Sequence, residues 1–180
     1  VFTNIARISD QKNQELLIDV FKRLNDESVN AILLIIGGIR HKHIYNKIKM
    51  KATKNVFFLG ELDNATDYLF VSDFFCLSSL WEGMPISLIE SFSIGCIPIC
   101  TPAGGINNML SNDKNGYITD DFTIDSYYKA VISCINLKTK KIRNLKISCN
   151  QSFDKEYSIL ICSTSYQKYF QKILNNANIT

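Results

Sequence analysis

Two glutamates, Glu82 and Glu90, stand eight residues apart in the stretch SLWEGMPISLIES, with Gly83, Met84, Pro85 and an apolar run between them. Paired carboxylates can act as acid and base across a bond to be cut when they lie roughly 5 to 9.5 Å apart. They can also be two separate acceptors for the hydroxyls of one ligand, or ordinary surface charges. Pro85 suits the first turn of a helix, where its missing N–H costs nothing. The amides of Ile86 and Ser87 would then point out of the helix start. Such a terminus favours an anion through free N–H groups and the helix dipole. It also favours the charged form of a nearby carboxyl, which suits no general acid. The pair therefore reads better as ligand contacts than as a bond-cutting couple.

A second group is cationic. Arg7 and Lys12 flank Asp10 in RISDQKN, five residues apart. Scattered cations at a sheet edge are usually solvated. At the carboxyl end of a strand, however, Arg offers a planar fork for two oxygens and Lys a point charge, and together they could hold one diphosphate. Two glycine pairs, Gly37-Gly38 and Gly104-Gly105, each follow a strand-like run and could be plain turns. Neither makes GxGxxG, so a nicotinamide site has little support. His41 and His43 form HKH in a basic loop; solvated histidines are the simpler reading than a metal site. There is no DxD, so nothing suggests carboxylate-held magnesium and no metal is expected.

These residues must be carried by a fold. At 180 residues, 46% hydrophobic and 21% charged, the chain has the length and composition of one soluble domain with its own core. The net charge of +3 is spread along the sequence and makes no nucleic-acid footprint. Six cysteines occur without a CxxC pair, and Cys96 and Cys100 bracket the apolar IPI. They read as small buried hydrophobes in a reducing, hence cytoplasmic, compartment. No stretch has the length of a membrane span or the look of a signal peptide. Val1 falls inside a strand-like run, so the chain is expected to be a piece of something longer.

Helical and strand-like patterns alternate. Strands are expected at 1–8, 31–38, 55–60, 73–79, 97–101 and 116–119. Helices are expected at 14–24, 44–53, 65–72, 85–95 and 105–111. From Thr123 to residue 180 the chain reads as a mainly helical tail. Short apolar strands separated by helices imply a Rossmann-like, doubly wound parallel sheet of about six strands, flanked by helices. Ligands bind such sheets beyond the strands' carboxyl ends, in the loops that carry Arg7, Lys12 and Glu82. Tyr166, Tyr169, Phe170, Ile173 and Leu174 form a stripe at helical spacing. It either caps its own core or faces a partner.

Taken in order, Arg7…Lys12, LLIIGG, NVFFLGEL, SDFFCLSSLWEGMPISLIESFSIGCIPICTPAGGINNML and NGYIT resemble a known family. They look like the C-terminal, nucleotide-sugar-binding half of the retaining glycosyltransferases of family four (glycosyl transferases group 1), which have the GT-B fold. The resemblance spans about residues 3 to 135 closely and the tail loosely. It implies that Arg7 and Lys12 hold the donor's diphosphate, and that Glu82 lies near the donor sugar's hydroxyls. The backbone of Gly83, Met84 and Pro85 would touch that sugar, and the amides of Ile86 and Ser87 would lie near the phosphates. Glu90 would accept from the ribose, and the backbone around Leu62 would meet the base. With Glu82, Arg7 and Lys12 would carry the catalytic step.

The resemblance further implies hexosyl transfer with retained configuration, no cofactor or metal, and a role in surface polysaccharide or glycoconjugate assembly. The implied location is cytoplasmic, with the whole enzyme at the inner face of a membrane. Three features depart from the family's pattern. Ala6 stands where a glycine usually precedes the arginine, and Asn107-Asn108 stand where Pro-Glu is common. The acceptor-binding N-terminal half is absent from this chain. A rival reading makes the chain a stand-alone nucleotide-sugar-binding subunit whose acceptor half is a separate polypeptide.

Overall fold

The computed structural model describes residues 1–177. Strands and helices alternate as β1 (Phe2–Ile5), α1 (Gln14–Asp26), β2 (Leu33–Ile36), α2 (Lys42–Lys51), β3 (Val56–Gly60), α3 (Asp67–Phe70), β4 (Phe74–Leu77), α4 (Ile86–Ile94), β5 (Ile97–Cys100), α5 (Ile106–Met109) and β6 (Tyr117–Ile118). Three further helices follow: α6 (Ile124–Ile135), α7 (Thr139–Ser152) and α8 (Ile159–Ala177).

The strands form one six-stranded sheet in the order β3-β2-β1-β4-β5-β6, with every adjacent pair parallel. A parallel sheet covered on both faces needs strands that are apolar on both sides. β4 shows the pattern. Phe74 and Cys76 enter a core with Leu17, Phe21 and Tyr127, while Phe75 and Leu77 enter a second core with Leu88, Phe92 and Ile106. β5 alternates likewise, sending Ile97 and Ile99 to the first core and Cys100 to the second. This is the doubly wound α/β architecture expected from the sequence.

The chain starts in the middle of the sheet, runs outward through β2 and β3, then returns to place β4 on the other side of β1. The loops after β1 and β4 therefore leave the sheet in opposite directions, and a crevice opens between them. β1 pairs with β2 over four residues but with β4 only at Phe2 and Thr3. Beyond Thr3 the ladder is continued by a side chain: the fully buried Asn4 donates its Nδ2 to the Cys76 carbonyl at 2.8 Å.

One expectation shifts, and one open choice narrows. Pro85 is not in the first turn of α4 but precedes it as the N-cap residue, in an extended conformation (φ −70°, ψ 119°), and Ile86 is the first helical residue. Gly95, at φ 73°, ends that helix in the left-handed region. The stripe on α8 does not cap its own core: Tyr166, Tyr169, Phe170, Ile173 and Leu174 are 46% to 65% exposed. Packing against the second core comes before the stripe, in a π-helical turn at Phe153–Tyr157 that joins α7 to α8. There Phe153 and Tyr157 pack against the second core, and the Tyr157 ring stacks on Phe92.

Five of the six cysteines are buried, Cys162 is half-buried, and all are free thiols. Burial pushes the thiols of Cys76 and Cys149 up to about 12. Among the described residues no helix is long and apolar enough to cross a membrane.

Candidate functional site

The loop after β1 is built to aim two cations. Ala6 donates its N–H to the Ile36 carbonyl, and Ile8 bridges to Ile39, so the segment stays beside the loop after β2. Residues Asp10–Lys12 then form a single 3-10 turn, and Asn13 at φ 47° turns the chain sharply into α1. The buried Gln14 at the start of α1 donates Nε2 to the Arg7 carbonyl at 3.0 Å. The Arg7 side chain is left exposed, and among the described residues its guanidinium joins no ion pair.

Three hydrogen bonds stitch this loop to the one after β4. Ser78 Oγ donates to the Lys12 carbonyl at 2.8 Å, Leu80 N–H to the Gln11 carbonyl at 2.8 Å, and Gln11 Nε2 to the Trp81 carbonyl at 3.0 Å. Lys12 Nζ and Glu82 Oε1 are thereby brought to 2.5 Å. The pair is well shielded, with side-chain exposures of 16% for Lys12 and 7% for Glu82. Ser79 Oγ also donates to Glu82 Oε1, at 2.6 Å.

The loop after β5 closes on the same residue. Gly105 N–H donates to the Glu82 carbonyl at 3.0 Å, and Thr101 Oγ1 donates to the Ser79 carbonyl at 2.6 Å. The glycine pair is explained by this approach rather than by a turn alone. A Cβ on Gly104 would lie 2.4 Å from the Glu82 carbonyl oxygen, and one on Gly105 would lie 1.8 Å from that of Gly83. Only a backbone without side chains fits there.

α4 presents its start beside this junction. The Pro85 carbonyl accepts from the Leu88 and Ile89 N–H groups, while the amides of Ile86 and Ser87 precede the first helical bonds. Gly83, Met84 and the Ile86 side chain are exposed, and Pro85 is buried. Glu90 lies in the second turn, half-buried, with no ion pair or side-chain hydrogen bond among the described residues. Its carboxyl departs from the expectation that the helix start holds carboxyls charged. Burial pushes it above its ordinary value, because a group one turn along gains little from terminal N–H groups.

Two cavities open near the strands' carboxyl ends, and the second borders the junction. One, of about 250 Å³, is lined by Ile8, Gly37, Ile39, Tyr45, Phe58 and Gly60. Leu62 is half-buried two residues past Gly60 and is not among its lining residues. The other, of about 350 Å³, is lined by Arg7, Asp10, Gln11, Arg40, His41 and Trp81, with Ser9. His41 is not simply solvated: its Nδ1 lies 2.5 Å from Asp10 Oδ2, and its ring stacks on His43.

Of the sequence-expected residues, Lys12 and Glu82 meet directly, Gly83 to Ser87 run on from Glu82 into the start of α4, Arg7 lines the adjoining cavity, and Glu90 and Leu62 lie outside the contacts described. Sequence reasoning missed Ser79, Thr101, Arg40 and the His41–Asp10 contact. Thr101 and the His41–Asp10 contact depend on partners more than twenty residues away, and Ser79 and Arg40 on which way a loop folds, which spacing does not encode. Among the described residues, no group of three or more His, Cys, Asp or Glu side chains could hold a metal ion.

Comparison with known proteins bears on what such a junction serves. The model of the family "Glycosyl transferases group 1" matches residues 1–148. A UDP-Gal:alpha-D-GlcNAc-diphosphoundecaprenol alpha-1,3-galactosyltransferase of Escherichia coli is 29% identical over 154 residues, covering 80% of this chain and 40% of that protein. A glycosyltransferase of Rickettsia africae superposes with a TM-score of 0.90 at 17% identity, covering 97% of this chain and 48% of that one. HepE of Anabaena, solved in complex with UDP and glucose, gives 0.84 at 16% identity, over 94% and 47%. The C-terminal domain of a group 1 family glycosyl transferase of Francisella tularensis gives 0.74 at 18% identity, over 88% and 86%. The structural matches speak for the fold. The chain spans less than half the length of the curated relatives it matches.

Proposed function

The chain belongs to the glycosyl transferases group 1, and from that premise we propose that it is the donor-binding half of a retaining hexosyltransferase that uses a nucleotide-diphosphate sugar. The observation that carries the reading is the meeting of Lys12 and Glu82 at the sheet's switch point, just ahead of the start of α4, with Arg7, which joins no ion pair among the described residues, lining the adjoining cavity. A diphosphate wants cations and a helix start. Sugar and ribose hydroxyls want carboxylate acceptors, which Glu82 and Glu90 supply.

In this reading Arg7 and Lys12 grip the diphosphate, and the amides of Ile86 and Ser87 face its oxygens. As the bond between sugar and diphosphate lengthens, negative charge grows on the departing phosphate. Preorganised cations and N–H groups stabilise it there. The backbone of Gly83, Met84 and Pro85 lies along the sugar, with Glu82 accepting from its hydroxyls. Glu90 accepts from the ribose, and the chain around Leu62 runs toward the base. The named substrate of the Escherichia coli relative and the ligands of the Anabaena structure make a uridine diphosphate hexose the first donor to test.

The acceptor would be held by a further half, in the same polypeptide or in a separate chain, and 1–180 on its own would bind donor without efficient transfer. The exposed stripe on α8 suits contact with that half, since its residues lie outside both cores. Assembly of a surface polysaccharide in the cytoplasm, against a membrane, accords with the acceptor in the relative's name.

The test is calorimetry of the chain with uridine, guanosine and adenosine diphosphate sugars, together with Arg7→Ala and Glu90→Ala. Arg7→Ala should weaken the nucleoside diphosphate and spare the nucleoside, whereas Glu90→Ala should weaken both. Equal binding of all three sugar nucleotides by both variants and the parent chain would overturn the reading.

A further inference from the structure

The carboxylate of Glu82 is held asymmetrically. Both of its donors, Lys12 Nζ at 2.5 Å and Ser79 Oγ at 2.6 Å, converge on Oε1. Oε2 accepts from no group among the described residues, yet it is not a buried orphan: the buried unpaired side-chain atoms are Asn4 Oδ1 and Gln14 Oε1. One oxygen of a shielded carboxylate is pinned and the other is left free.

Ser79 is well placed to do the pinning. It is fully buried just beyond β4, and its own carbonyl is held by Thr101 Oγ1 at 2.6 Å. Its hydroxyl therefore starts from a fixed backbone. Lysine differs, because its ammonium sits on a four-carbon stem and carries three donors, only one of which Glu82 uses. Lys12 can keep its ion pair and still turn a second N–H to a phosphate. It does not by itself fix the rotation of the carboxylate, whereas a second donor from another direction does.

We propose that Ser79 is a positioning residue: with Lys12 it pins Glu82 Oε1 and so presents Oε2 to a hydroxyl of the bound donor sugar. This rests on the donor-binding reading above. It also sets an order among ligands. A nucleoside diphosphate lacks the sugar and takes no bond from Oε2, so its affinity is independent of Ser79. The sugar nucleotide gains that bond only when the carboxylate is turned correctly, and a hydrogen bond to a charged acceptor is worth about 1.5–3 kcal/mol, or roughly tenfold to a hundredfold in affinity.

The experiment compares the parent chain with Ser79→Ala and Ser79→Thr, which restores the hydroxyl. Affinities for UDP-glucose and for UDP are measured by calorimetry, thermal unfolding checks the fold, and crystal structures of the ligand-free variants are solved. In Ser79→Ala the preference for UDP-glucose over UDP should fall by about tenfold with UDP affinity unchanged, and Ser79→Thr should restore it. The Glu82 carboxylate should leave its place in the ligand-free Ser79→Ala crystal. An unmoved carboxylate, or equal loss for UDP and UDP-glucose, overturns the role of Ser79. Should the parent chain bind neither ligand, the uridine-donor reading falls instead, and the ligand-free structures still decide whether Ser79 places Glu82.

Discussion

Lys12 and Glu82 are separated by 70 positions in the chain and meet at 2.5 Å, across the two loops that leave the sheet in opposite directions. The contact joins the halves of the crevice and is nearly out of solvent. Removing one partner strands a shielded charge, which is worse than removing both. Lys12→Met should therefore lower stability by about 1–3 kcal/mol, Glu82→Gln should cost less, and the double variant should recover most of the loss. A double-mutant cycle in urea measures this. Additive losses would mean that the pair is not coupled.

The glycine pair gives a steric prediction. Gly105→Ala places a methyl 1.8 Å from the Gly83 carbonyl oxygen, so the loop after β4 must move. Overpacking of this kind costs about 1–3 kcal/mol. Gly104→Ala adds strain at φ +54° to its own clash at 2.4 Å. Both variants should melt at lower temperature and lose sugar-nucleotide binding together, because the displaced backbone carries Glu82. Calorimetry alongside thermal unfolding checks both effects.

Glu90 gives a pH dependence. Burial raises its carboxyl above the ordinary value in the folded chain. The folded state then holds a proton that the unfolded state has already released, so stability falls as pH rises. This contribution is fully present below the ordinary glutamate pKa of about 4.3 and is lost as pH climbs through the raised value. Glu90→Gln should flatten that segment. Urea titrations of the two proteins from about pH 4 to about pH 7 make the comparison; parallel curves would contradict it.

Thiol chemistry should single out Cys162. It is the half-buried cysteine, while Cys76, Cys96, Cys100, Cys134 and Cys149 are buried and their thiols are pushed upward by desolvation. A thiolate-selective reagent at neutral pH should label Cys162 rapidly and the others only on unfolding. Mass spectrometry of native and denatured protein reads the difference, and fast native labelling at Cys76 would count against the packing of β4.

The end of the chain can be tested by shortening it. Phe153 and Tyr157 are packed, whereas Ile159, Leu160, Tyr166 and Tyr169 are largely exposed. A chain ending at Ser158 should keep its unfolding midpoint within a few degrees, as expected when about 1 kcal/mol or less is lost. Ending it at Ser152 should cost much more, since the Tyr157–Phe92 stack goes.

Much of this organisation is legible in the residues. LLII and IPIC are apolar at every position, as strands covered on both faces must be, and they are β2 and β5. The punctuation of α4 by Pro85 and Gly95 is readable to within one position. The error arises because proline's fixed φ serves an extended N-cap as well as a first helical turn. Arg7, Lys12, Glu82 and Glu90 are visible by type and order. Ser79 is not, because a serine two steps past a strand looks like any loop serine until Glu82 folds back onto it. The helical period of Tyr166 to Leu174 is equally plain. A period states that a helix has an apolar face, and it cannot state whether that face meets its own sheet or something else.

The contact of Gly104 and Gly105 with the Glu82 and Gly83 carbonyls leaves the loop after β4 no lateral play. Its path is cast against another loop's bare backbone, like metal in a mould. Diversification of this site is therefore confined to what hangs from that path. The side chains of Trp81, Met84 and Ile86 are more than half exposed along that path. Exchanging those surface groups alone leaves the backbone positions of Glu82 and the start of α4 unchanged.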